Sequence, residues 1–150
     1  MDMNMPQLNL PNVALKTKLV EGTMQVFDAV RKKYLVLTPE EWVRQHFIHY
    51  LNSEKKYPLG LMGVEQMVKY NEQSARADIV LYNTEGKPNM IVECKAPNVK
   101  ITQDSFNQIA KYNFQLRVEL LVVTNGLQHF CCKMDYNKNE IKFVEEIPSF

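Results

Sequence analysis

The stretch Arg76–Lys100, RADIVLYNTEGKPNMIVECKAPNVK, constrains this chain more than any other. Two apolar runs, Ala77–Tyr82 and Met90–Cys94, flank Asn83-Thr-Glu-Gly-Lys-Pro-Asn89. Short runs rich in Ile, Val and Leu around a turn-forming segment specify a β-hairpin. With the turn centred on Glu85–Gly86, Asp78 falls opposite Glu93 and Ile79 opposite Val92. Lys95 lies two residues beyond Glu93 and shares its face, because strand side chains alternate. Asp78, Glu93 and Lys95 therefore converge on one sheet face at the open end of the hairpin. A register slip of one residue would separate the two acids.

Ile79, Leu81, Met90 and Val92 occupy the opposite face, while Val80 and Ile91 share the charged one. Apolar residues on both sides imply a central hairpin covered above and below. Paired carboxylates in such a place repel each other and are costly to desolvate. A divalent cation relieves both problems. Mg²⁺ is commonly held by one or two carboxylates, with water and substrate phosphate completing its shell. Lys95 beside them suits stabilisation of developing negative charge or activation of a water. The alternative is an ordinary acid–lysine cross-strand cluster, worth about 0.2–1 kcal/mol per pair.

Asp78 followed, one strand later, by Glu93-Cys94-Lys95 resembles the D…(D/E)xK signature of the PD-(D/E)XK nuclease superfamily. The wider string resembles one branch of it, the N-terminal domain of type I restriction enzyme R subunits. The matching segments are Thr38-Pro-Glu-Glu-Trp-Val-Arg-Gln45, Arg76–Val80, Val92–Pro97, Gln108-Ile-Ala-Lys-Tyr112 and Thr124-Asn-Gly126. They fall in order over residues 38–126. A lone ExK is common by chance, whereas the ordered set is specific. Ala77 departs from the pattern, standing where the superfamily name has proline. The resemblance implies that Asp78, Glu93 and Lys95 are catalytic. It implies that Asp78, Glu93 and the backbone carbonyl of Cys94 hold Mg²⁺ or Mn²⁺. Gln108 and Tyr112, one helical turn apart, would support the site and touch substrate, and Glu40 would add a further acid near the metal.

At 150 residues, 45% of them apolar, the chain fits one domain (residues 1–150) with a real core. Its net charge of +1 excludes a surface that is basic throughout, so a DNA site must be a local patch. Cys94, Cys131 and Cys132 are odd in number and lack CxxC spacing, which reads as reduced thiols in a cytoplasmic protein. No apolar run approaches the roughly 18 residues of a membrane span. The start of the chain is not a signal peptide in pattern. A GxxxxGK[ST] phosphate loop is missing from the sequence, so no ATP-driven motor is expected within it.

Residues 1–20, with Pro6 and Pro11, read as an irregular arm. Thr23–Tyr34 reads as a short strand or hairpin. Its Arg31-Lys32-Lys33 run is either a phosphate contact or a solvated charged face. Thr38 is an N-cap, Pro39 suits N1, and Glu41 is placed to close a capping box on a helix running to about Asn52. Glu40 shares the face of Val43 and Phe47, toward the sheet; its alternative role is to complement the helix dipole. Val64–Tyr70 reads as the first core strand. A second helix is expected over Gln103–Leu116, with Thr102 as cap and Phe106, Ile109, Ala110 and Phe114 as its apolar stripe. Strands follow at Glu119–Thr124, Gln128–Lys133 and Ile141–Val144, the first of them able to run parallel to a neighbour through the helical crossover. His46, His49 and His129 belong to no ligand set.

The expected fold is thus α/β (α+β): a restriction-endonuclease-like αβββαβ core, a mixed central sheet flanked by helices, and extra N- and C-terminal strands. The expected function is Mg²⁺-dependent hydrolysis of DNA phosphodiesters, alone or with a separate protein partner and away from membranes. The competing expectation is a catalytically inert nucleic-acid-binding or scaffold domain that keeps the fold. A small-molecule metal hydrolase is disfavoured, because no apolar ligand pocket can be argued from these residues.

Overall fold

The computed structural model describes residues 5–150; residues 1–4 of the expected arm lie outside it. Its elements are β1 (Thr17–Val20), β2 (Thr23–Asp28), β3 (Lys33–Val36), α1 (Pro39–Ser53), β4 (Met62–Tyr70), β5 (Gln73–Tyr82) and β6 (Pro88–Cys94). These are followed by α2 (Gln103–Phe114), β7 (Leu120–Thr124), β8 (His129–Asp135) and β9 (Glu140–Val144). Strands β4 to β9 form one six-stranded sheet in sequence order, and β1–β3 form a separate antiparallel sheet. The segment from α1 to β7 is the expected αβββαβ core, with β6 and β7 parallel across the α2 crossover.

The arm ends earlier than expected, because Thr17–Val20 is a strand paired with β2. Its partner is reached through a two-residue turn, Glu21-Gly22, with φ of 49° and 81°. Positive φ at both positions is the turn that matches strand twist. Glutamate at the first of them hides the signal that Asn-Gly would have given.

The β5–β6 hairpin has the expected register: Ile79 opposite Val92, Val80 opposite Ile91 and Leu81 opposite Met90. The pairing shifts by one residue only at Tyr82, next to the turn. There the Asn83 side chain accepts the N–H groups of Glu85 and Lys87, and Gly86 takes a φ of 78°. Both faces of the hairpin are covered. Ile79, Leu81, Met90 and Val92 pack under α1 against Val43, Phe47 and Leu51. Val80 and Ile91 pack under α2 with Phe106, Ala110, Leu121 and Val123.

One irregularity positions the site. In the β4–β5 ladder Val64 pairs with Ile79 and Gln66 with Ala77, but Glu65 and Asp78 between them do not pair. Glu65 has a φ of 52°. The strands rotate here. Val64 and Ile79 face α1, whereas Val68, Ala75 and Ala77 join the α2 side. Asp78 sits at that change of face.

Thr38 caps α1 by accepting the Glu41 N–H at 3.0 Å, but the expected capping box does not close. The Glu41 carboxylate is instead drawn inward to Arg44 at 3.2 Å and to the Gln45 amide at 3.0 Å. Thr102 caps α2 and forms a reciprocal pair with Ser105. That helix stops at Phe114, before the expected Leu116, and Arg117 three residues on has a φ of 58°.

Candidate active site

Asp78 is fixed by two donors. Its Oδ2 accepts the Cys94 backbone N–H at 2.8 Å, and its Oδ1 accepts Arg44 Nη2 at 3.3 Å. The broken ladder makes this possible, since Asp78 answers to a strand neighbour on one side and to α1 on the other. Glu93 lies one residue from Cys94, and its carboxyl is near enough to feel the Asp78 charge. Burial and the Asp78 charge push Glu93 up to about 8, while Lys95 works in the opposite direction and Glu40 adds to the rise. At neutral pH Glu93 therefore keeps its proton in the metal-free site.

Lys95 is half-buried at the end of β6. Its backbone N–H donates to Thr124 O at 2.8 Å, which ties the end of β6 to the end of β7. The Thr124-Asn-Gly126 segment holds the adjoining loops. Buried Asn125 donates to Val99 O at 2.9 Å and accepts the N–H groups of Leu127 and Gln128. Thr124 Oγ1 meets His129 Nδ1 at 2.7 Å, and the other ring nitrogen meets Asn9 O at 2.9 Å, so His129 is structural.

Glu40 is exposed at the start of α1 yet close enough to act on Glu93. Gln108 and Tyr112 lie on the exposed side of α2, and among the described residues no hydrogen bond or ion pair joins them to Asp78, Glu93 or Lys95. The buried positions of that helix are Phe106, Ala110 and Asn113.

The principal residue that sequence reasoning did not single out is Arg44. It is 7% exposed and reaches three carboxylates: Glu65 at 2.8 Å, Glu41 at 3.2 Å and Asp78 at 3.3 Å. Burial opposes its charge, but Glu41 and Asp78 outweigh that and raise its pKa. Glu65 is held below the usual carboxylate range mainly by its hydrogen bond from Arg44. Glu65 Oε1 also takes Arg31 Nη1 at 3.3 Å, and Arg31 is anchored by the buried Asp28 at 2.9 Å. The Arg44 signal was present in Thr38–Gln45, three residues beyond Glu41. Glu65 carried none, because its position depends on the strand kink.

The donors fit a divalent cation by their chemistry. The Asp78 and Glu93 carboxyl groups are neighbours in a half-buried place, and hard oxygen donors of this kind suit Mg²⁺. Among the described residues no set of three or more His, Cys, Asp or Glu gathers around one point. The groups that would hold such a cation are the Asp78 and Glu93 carboxylates with the Cys94 backbone carbonyl.

The family model for the type I restriction enzyme R protein N terminus matches residues 39–148. The chain belongs to that family. Its fold resembles a fragment described as an HsdR subunit of a type I restriction enzyme from Vibrio vulnificus, with a TM-score of 0.51 at 20% identity. The match covers 75% of this chain and 24% of that one, so the chain spans about a quarter of the Vibrio fragment. A protein from Anabaena variabilis described as a nuclease of the DUF820 group aligns over 91% of this chain and 80% of its own length, at 13% identity and a TM-score of 0.47. Among curated proteins, none matches the chain in sequence. No helix among the described residues is long and apolar enough to cross a membrane.

Proposed function

We propose that this domain is a Mg²⁺- or Mn²⁺-dependent DNA nuclease that hydrolyses phosphodiesters at Asp78, Glu93 and Lys95. The observation that carries the reading is the Asp78 carboxylate, held by the Cys94 N–H and Arg44, beside the raised Glu93 carboxyl and the Lys95 charge, in a chain of the restriction R-protein family. Asp78, Glu93 and the Cys94 carbonyl would hold the cation. Bound there, it supplies polarisation of a phosphoryl oxygen and a water of lowered pKa.

The residues of the chain do the positioning. The Cys94 N–H and Arg44 lock the Asp78 carboxylate in one orientation. Glu93 would give up its proton when positive charge enters the site. Lys95 directs a compact ammonium toward the scissile phosphate, where negative charge develops. Glu40 adds acidity on the α1 side, and Gln108 and Tyr112 are free to meet substrate from α2. Three buried free cysteines fit a cytoplasmic setting, and a separate partner is compatible with the small size of the domain.

One observation favours the inert alternative: Arg44 already gives Asp78 a counter-charge without a metal. The test is incubation with Mg²⁺ or Mn²⁺ and linear, circular and single-stranded DNA, alongside calorimetric metal titration. Cleavage by the wild type and none by Asp78→Ala supports the nuclease. Neither cleavage nor metal binding at millimolar concentration makes the scaffold reading the better one.

A further inference from the structure

The β1–β2–β3 sheet has one face that the core does not use. Val26 and Asp28 of β2 are fully buried and turn inward. Gln25 and Phe27 alternate with them and turn outward. In register with these lie Lys18 on β1 and Val36 and Tyr34 on β3. The Phe27 N–H donates to Lys16 O at 2.9 Å, which sets Lys16 beside the same face.

The face pairs aromatics with cations. Phe27 and Tyr34 meet edge to face at 5.2 Å. Lys16 Nζ lies 5.2 Å from the Phe27 ring centre, and Lys18 Nζ lies 4.0 Å from that of Tyr34. Phe27 and Tyr34 are half-buried, and the Tyr34 ring face is covered by the side chain of exposed Lys18. Charge is concentrated here too. Between Lys16 and Val36, five cations (Lys16, Lys18, Arg31, Lys32, Lys33) stand against Glu21 and Asp28, a net of +3 in a chain whose total is +1. The remainder is therefore net −2.

The sheet is also tied to that site. Arg31, just after β2, shares Glu65 Oε1 with Arg44, and Arg44 reaches Asp78. An anionic strand repelled by the acids is attracted by the sheet next to them.

We propose that this face docks single-stranded DNA and leads it to the Asp78–Glu93 site. The inference rests on the DNA reading above. Lys16, Lys18 and Lys32 take phosphates, and bases stack on Tyr34 and Phe27, with Lys18 moving from the ring to the backbone. Aromatic platforms flanked by cations bind single strands in this way. A duplex keeps its base faces closed and offers this surface only its backbone.

The test uses the full chain in EDTA, so that binding is read without cleavage. Fluorescence anisotropy follows three labelled probes of about 30 nucleotides: a single strand, its duplex and a strand of the same length lacking bases. The single strand binds more tightly than the other two. Lys16→Ala with Lys18→Ala weakens it at least about tenfold and lowers the slope of log affinity against log salt by about 1.4, two phosphates at roughly 0.7 each. Both lysines are exposed, and circular dichroism verifies that the fold is kept. Unchanged binding by the double variant overturns the proposal, as does equal binding of duplex or of the baseless strand. Single-strand binding without cleavage at any metal concentration leaves this inference standing and removes the nuclease reading. Cleavage together with unchanged binding by the double variant does the reverse.

Discussion

Glu93→Gln is expected to stabilise the metal-free protein at alkaline pH and to leave it unchanged at acid pH. In the native state burial and Asp78 raise Glu93 from 4.5 to about 8. The folded protein then binds more protons than the unfolded chain between those values, so stability falls as pH rises through this window. Below about pH 4.5 the contribution is complete, and by about pH 8 it is lost. At 1.36 kcal/mol per unit, the span from 4.5 to about 8 sets an upper bound of about 5 kcal/mol. Glu93 keeps some contact with solvent, so somewhat under half of that, roughly 2 kcal/mol, is the working figure. Glutamine keeps the size of the side chain and never ionises.

For a domain of this size, roughly 2 kcal/mol corresponds to a melting shift of about 4–8 °C. Scanning calorimetry in EDTA at about pH 5 and about pH 8 reads it directly. Glu93→Gln should melt with wild type at the lower pH and several degrees higher at the upper. Identical melting at both values would refute the raised Glu93 pKa, because no cost of charging Glu93 in the folded protein would then be present.

Lys95→Ala should lower cleavage by about 10²–10³ while metal titration stays near wild type, since one preorganised charge is removed and no ligand is; wild-type cleavage by this variant would show that Lys95 is not catalytic. Arg44→Met should cost about 3–5 kcal/mol in urea unfolding, because Glu41, Glu65 and Asp78 lose a common cation. Gly126→Ala should also destabilise, by about 1–3 kcal/mol: Gly126 has a φ of 86°, and an added Cβ would meet Leu8 Cδ2 at 2.7 Å. A chemical melt no different from wild type would place the Leu8 contact outside the folded core.

The hairpin was legible because its information is local. Alternating apolar residues and an Asn-rich turn set the register, and that register determined which acids could meet. The two helices were legible from Thr38 and Thr102, each a cap preceding an apolar pattern. The β1–β2 hairpin was hidden by Glu21, a poor advertisement for positive φ. Arg44 was visible as a letter but not as a hub. Its importance comes from Glu41, Glu65 and Asp78 arriving from one helix and two strands, which no periodicity encodes. Gln108 and Tyr112 show the converse: their spacing was correct, yet shared spacing establishes only a common helical face.

The kink at Glu65 connects the hidden role of Arg44 to the chemistry. A regular β4–β5 ladder would keep Asp78 in strict alternation, turned toward one helix layer. Breaking the ladder at Glu65 and Asp78 gives up strand pairing at one position. In return, the Asp78 carboxylate reaches both the Cys94 N–H beside Glu93 and Arg44 on α1. The Glu65 side chain released by the same kink binds Arg44 and Arg31. The irregular residue thus supplies the counter-charge that its own irregularity requires. It also joins the basic N-terminal sheet to the acid pair. Removing the Glu65 carboxylate should therefore disturb both, whereas loss of Lys16 or Lys18 should leave the acid pair intact.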